Sequence, residues 1–148
     1  MLGNYVQAGN QSCPPSMLKE LALSDVDRIR RRVAENPNTP IEVLELLSTD
    51  KNADVRVAVG TNPSTPAHLS YALAFDEDPN VRLGLADDMN TPVELLDKLI
   101  ADENPYVSVK AFETRALKLA KDKPRDFGCH RFFRWATGAT EQPELKYA

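Results

Sequence analysis

Val55-Arg-Val-Ala-Val-Gly-Thr-Asn-Pro-Ser-Thr-Pro66 decides the fold, because it recurs. Ile29-Arg-Arg-Arg-Val-Ala-Glu-Asn-Pro-Asn-Thr-Pro40 lies 26 residues before it, and Val81-Arg-Leu-Gly-Leu-Ala-Asp-Asp-Met-Asn-Thr-Pro92 lies 26 residues after it. A fourth copy begins at Val107-Ser-Val-Lys-Ala111 and then diverges, and Asn10-Gln-Ser-Cys-Pro14 is the tail of a degenerate earlier one. A fixed period of this length is the signature of a stacked array, in which each unit buries its apolar face against its neighbours.

Each copy has two halves, each with its own helix-start signal. In the second half the signal is Thr39-Pro40, Thr65-Pro66 and Thr91-Pro92. A threonine N-cap followed by proline at the first helical position suits a helix start, and Glu42 and Glu94 complete a capping-box pattern. Val43, Leu69 and Leu95, with Leu47, Leu73 and Leu99 four residues later, then place two apolar columns on one helical face. Helices are predicted over about 14–23, 40–49, 66–75 and 92–101.

The first half opens on an acid column, Asp50, Asp76 and Asp102, with Ser24 in register, read as N-caps. The residues that follow, such as Val55, Val57 and Val59, alternate like a strand, so a leucine-rich-repeat strand is an alternative. The regular cap column, the small Ala58 and Gly84, and the unbroken run from Val107 to Lys121 favour helix. Helices are predicted over about 25–35, 51–61, 77–87 and 103–121, with 3₁₀ geometry in places. In the turn between the halves, asparagine is read as a left-handed helix terminator, with proline stopping the helix just after.

The domain reading is a flexible leader over 1–9 and a helical repeat domain over 10–121. An aromatic C-terminal cap over 122–138 and a disordered tail over 139–148 follow. The fold class is all-α: an α-solenoid of 26-residue, two-helix repeats.

This grammar of an acid, then Val-Arg, then Asn-Pro-x-Thr-Pro, then a leucine-bearing helix, resembles the leucine-rich repeat variant family. That family is a bacterial group similar in spirit to HEAT and armadillo arrays. The resemblance covers about Asn10 to Ala111 and implies a right-handed superhelix of alternating α and 3₁₀ helices with a general role in macromolecular binding. Some members carry a cysteine-rich iron–sulfur module before the repeats. Here Cys13 stands alone at that end, so no cluster is expected.

Composition narrows the function classes. The formal net charge of −4 argues mildly against a general binder of nucleic acid or anionic membrane, although a local basic patch is compatible with it. No signal peptide is read at the N-terminus, and no apolar run approaches membrane-spanning length. Cys13 and Cys129, far apart and outside any CxxC spacing, fit a reducing cytoplasm. His68 and His130 have no companions suggesting a metal site or a catalytic set, so neither cofactor nor enzymatic activity is expected.

Four features stand out as candidate surfaces. The column Arg30, Arg56 and Arg82 reads either as a ladder pairing with acids or carbonyls of adjacent repeats, or as an arginine-lined groove. Arg28, Arg31 and Arg32 form a basic patch, and Arg31 and Arg32 occupy columns that later hold Val57 and Leu83, and Ala58 and Gly84. Tyr71 and Tyr106 interrupt largely charged columns, as binding aromatics would. Phe132, Phe133 and Trp135 read as a lid over the last repeat or as a docking patch. The leading expectation is a cytoplasmic, non-catalytic scaffold that binds a protein partner. The rival is a nucleic-acid binder using its arginine-lined face.

Overall fold

Four-residue spacing of apolar side chains governs the helices that build the array. The structure, a computed structural model, describes residues 2–121. Among the described residues the chain forms nine α-helices and no strand. These are α1 (Leu2–Ala8), α2 (Pro15–Leu21), α3 (Asp27–Ala34), α4 (Ile41–Leu47), α5 (Ala53–Gly60), α6 (Ala67–Leu73), α7 (Pro79–Asp87), α8 (Val93–Leu99) and α9 (Pro105–Lys121). The odd-numbered helices stack in one series, α1 on α3 on α5 on α7 on α9, and the short even-numbered helices flank them. The chain is an all-helical repeat array.

The core follows the repeat columns. Ile29, Val55, Val81 and Val107 are buried, and so are Val33, Val59, Leu85 and Ala111 one turn further on. Burying a valine or leucine side chain in this way contributes about 1.5–3 kcal/mol. The strand-like alternation of Val55, Val57 and Val59 resolves as helix. Val55 and Val59, four apart, are fully buried, while Val57 between them is half-buried. Small residues let the stacked helices approach. A Cβ on Gly84 would lie 2.8 Å from Val57 Cγ1, and one on Gly60 would lie 3.2 Å from Leu85.

Several expectations need correction. Leu2–Ala8, in the stretch read as a leader, is a helix, with Ala8 fully buried against the array. The described helices are α throughout, and i→i+3 bonds occur at their ends, as from Val43 N–H to the Pro40 carbonyl (3.0 Å), and in the turns between them, as from Thr39 N–H to the Asn36 carbonyl (3.1 Å). Thr39 and its counterparts are not N-caps. The short helices begin one residue later, with Pro40, Pro66 and Pro92 in the cap position and no side-chain cap bond. The threonine hydroxyls instead donate backwards across the turn, to the carbonyls of Val33 (2.6 Å), Val59 (2.6 Å) and Leu85 (2.8 Å). Each adds a side-chain bond to a carbonyl in the last turn of the preceding helix, and those of Val33 and Val59 also accept the N–H groups of Asn36 (3.0 Å) and Asn62 (3.2 Å).

The acid column also sits two residues before the cap. Asn52 and Asp78 cap α5 and α7, accepting from the N–H groups of Asp54 and Asn80 at 2.8 Å each. Asp50, Asp76 and Asp102 shape the preceding turn, each accepting an N–H from two residues ahead.

The turn asparagines link repeats. Asn36 Nδ2 donates to the carbonyls of Ala8 (2.8 Å) and Asn10 (2.9 Å), and Asn62 Nδ2 donates to those of Ala34 (2.6 Å) and Asn36 (2.9 Å). Their Oδ1 atoms accept from Asn38 N–H (3.0 Å) and Ser64 N–H (2.8 Å). Asp88, next in the column, accepts from Asn90 N–H at 2.9 Å but has no amide to donate, so this ladder ends there. The C-cap residues before these asparagines, Glu35 and Thr61, are right-handed, with φ of −73° and −94°. Residues 122–148, and with them the expected aromatic cap and tail, lie outside the described residues.

Candidate binding site

The arginine column points into the stack. Arg30 donates from Nε and Nη2 to the Asp50 carboxylate at 2.6 and 2.9 Å, and from Nη1 to the Ser24 carbonyl at 2.9 Å. Arg56 repeats this with Asp76 (2.7 and 2.8 Å) and the Asp50 carbonyl (2.7 Å). Arg82 repeats it with Asp102 (2.7 and 3.1 Å) and the Asp76 carbonyl (2.7 Å). Each guanidinium therefore ties the turn before its own helix to the corresponding turn one repeat later. All three arginines are buried, so the arginine-lined face is not open to solvent at Arg30, Arg56 and Arg82.

Hydrogen bonding to the paired aspartate raises each arginine's pKa further above its usual value. Burial pushes the Asp50, Asp76 and Asp102 carboxyls up. The guanidinium bonds and the turn N–H groups outweigh it and hold all three below the usual carboxylate range.

Arg28, Arg31 and Arg32 come from the same helix as Arg30 but face elsewhere. They line a cleft of about 550 Å³ together with Tyr5 from α1, Val26, Ile29 and Glu35. Arg31 Nε donates to Glu35 Oε1 at 2.9 Å, and Arg32 Nη1 to Glu35 Oε2 at 3.0 Å. Arg32 also lies over the Tyr5 ring, its Cζ 5.6 Å from the centroid, in cation–π geometry. Among the described residues the Arg28 side chain has no ion-pair partner. A second hollow of about 260 Å³ continues from Arg28 and Arg31 towards α5, lined by Asp27, Asn52, Asp54 and Val55.

The remaining candidates stand apart from this cleft. Tyr71, on α6, is half-buried and packs against the core. Tyr106 is 77% exposed in the first turn of α9, at the other end of the stack. Phe132, Phe133 and Trp135 lie outside the described residues. Among the described residues no group of His, Cys, Asp and Glu side chains is placed to hold a metal ion, and no helix is long and apolar enough to cross a membrane.

Sequence reasoning found the three arginines but missed Tyr5 and Glu35, which complete the cleft. The signal was present in the register. Ala8 heads the small column Ala34, Gly60 and Ala86, and Tyr5 heads the column of Arg31, Val57 and Leu83.

The leucine rich repeat variant family model matches residues 27–52. Residues 27–52 are thus similar to one leucine rich repeat variant repeat. The matched stretch runs from the first residue of α3 to the cap of α5, so it holds both ends of one ladder rung, Arg30 and Asp50. The rungs at Arg56–Asp76 and Arg82–Asp102 repeat the geometry of the Arg30–Asp50 rung along the stack. Comparison with curated proteins and with solved structures gave no match.

Proposed function

We propose that the chain is a non-catalytic scaffold that binds a protein partner on the α3 face of its helical array. The observation that supports this is a division of labour within one helix. Arg30 is locked inside the ladder, whereas Arg28, Arg31 and Arg32 stand at the rim of an apolar-floored cleft. A cleft of this size with a few convergent polar groups is a common form of binding site. The wide separation of Cys13 and Cys129 in the sequence, outside any CxxC spacing, supports a reducing cytoplasmic location.

Nucleic acid is the competing occupant. Asp27, Glu35 and Asp54 stand among the three arginines, and the chain carries a net charge of −4, so no continuous cationic track is available for a phosphate backbone. The test is a photo-reactive amino acid placed at position 35 in the native cell, where it lines the cleft and leaves all three arginines in place, with one at exposed Glu94 as control. A discrete protein adduct from position 35 alone is expected. Adducts to nucleic acid, or equal labelling from both positions, would count against the reading.

A further inference from the structure

We propose that the α1–α3 cleft takes an acidic peptide segment carrying one apolar anchor residue, and that Glu35 is the internal carboxylate that holds its place. This rests on the reading of the array as a protein-binding scaffold and names the chemistry of the partner.

The cleft has two distinct surfaces. Val26, Ile29 and the Tyr5 ring supply apolar area, and three guanidinium groups stand around it. An anion alone would leave the apolar area in contact with water. An apolar side chain alone would leave the guanidinium groups unpaired. A peptide with carboxylates beside a bulky apolar residue satisfies both.

The cationic side is only partly used. Each guanidinium presents five N–H donors in a fixed plane suited to bidentate carboxylate binding. Glu35 takes one bond from Arg31 and one from Arg32, leaving most of their donors open. Arg28 makes no side-chain hydrogen bond among the described residues. Arg32 Nε is buried against Gly9, so it is not among the open donors.

The site is also set in advance. Arg32 is held between the Tyr5 ring and Gly9, where an added Cβ would lie 2.7 Å from its Cζ. A guanidinium fixed in this way loses little freedom when a carboxylate arrives. The two arginines share a single glutamate, bonded through one donor from each. A peptide carboxylate that pairs with both donors of Arg31 replaces that bond with a better one, and Glu35 is then free to turn to solvent. Glu35 is therefore a competitor as well as a partner.

The carboxylates bounding the patch, Asp27 and Asp54, choose between macromolecules. They repel an extended polyanion but leave room for a short acidic segment that ends at the cleft.

Fluorescence anisotropy on the full chain tests this. The probe is a labelled short peptide of Asp and Glu with a central Phe. The comparators are the same peptide with Ser for Phe, its Lys-substituted counterpart, and a single-stranded oligonucleotide. The Phe-bearing acidic peptide is expected to bind, and both peptide comparators to bind more weakly. Arg28→Gln and Arg31→Gln should each weaken it about tenfold, the scale of one charge-assisted hydrogen bond. Glu35→Gln should tighten it several-fold, which a purely structural Glu35 would not do. Arg28 holds no side chain of the fold, so its variant keeps the result independent of folding.

Absence of peptide binding, a Glu35→Gln variant that binds no better than the parent, or displacement of the peptide by lower concentrations of oligonucleotide would each overturn the proposal. If the peptide fails while the adduct at position 35 is still a protein, only the acidic partner class is wrong. If both fail, the scaffold reading falls with it.

Discussion

One hydroxyl in each repeat distinguishes two accounts of the same dipeptide. A threonine N-cap accepts a bond, and aspartate would serve as well. In the structure Thr39 donates to the Val33 carbonyl, and aspartate cannot donate. Thr39→Ser should therefore be tolerated, and Thr39→Val should cost about 1 kcal/mol. Thr39→Asp should cost more than Thr39→Val, because it brings a carboxylate against a buried carbonyl. Urea denaturation ranks the three, and an aspartate variant as stable as the parent would restore the capping account. Arg56 and Asp76 pose a similar question of partners. Arg56→Met alone leaves a nearly buried carboxylate without its guanidinium and should cost about 3 kcal/mol. Combining it with Asp76→Leu should recover much of that loss, and a double variant no better than the single would show that the turn bonds of Asp76 outweigh the ion pair. The columns of both residues were legible from the sequence. Their bonds were not fully so, because a hydroxyl can give or take a proton and the position of a carbonyl six residues back depends on the turn.

At the scale of elements, the array extends one helix earlier than its most visible motifs. The Asn-Pro and Thr-Pro landmarks are degenerate after α1, as Asn10-Gln11 and Cys13-Pro14, so residues 1–9 read as a leader, yet Ala8 continues the small column and is fully buried. Periodicity carried the placement of α2 to α9. It could not show α1, because a single short helix beside degenerate landmarks has little local signal and is stabilised by packing on α3. The cleft was half legible for the same reason: its arginines lie on a repeat that the period exposes, and Tyr5 lies on the helix that it hides. The asparagine ladder gives this scale its own prediction. Asn62→Asp removes two donors to the Ala34 and Asn36 carbonyls and should cost about 2 kcal/mol. The opposite change further along, Asp88→Asn, supplies a donor where the column lacks one. It should raise stability by about 1 kcal/mol if its amide reaches the carbonyls of Gly60 and Asn62, the counterparts of those that Asn62 meets. Paired denaturant midpoints check both, and an unchanged Asp88→Asn midpoint would mean that the α7 turn does not follow the path of the two before it.

Across the whole molecule, stability is a chain of neighbour contacts, and the arginine rungs cross each of three successive junctions between repeats. This makes the stack sensitive to acid in a defined way. The folded-state carboxyls of Asp50, Asp76 and Asp102 titrate below their ordinary values, while in the unfolded chain they titrate near about 3.9. As pH falls, the unfolded chain takes up protons first, so the equilibrium shifts towards unfolding. The stabilisation is fully present above the unfolded value and is lost as pH falls through the lower folded values. Arginine stays charged throughout and adds no step of its own. Urea midpoints should therefore change little from these groups between about pH 5 and 7 and fall steeply below about pH 4. The Arg56→Met, Asp76→Leu double variant has one titrating rung fewer, so its acid limb should be shallower than that of the parent. Equal slopes in the two proteins would place the acid sensitivity outside the ladder, in the exposed carboxylates of the surface.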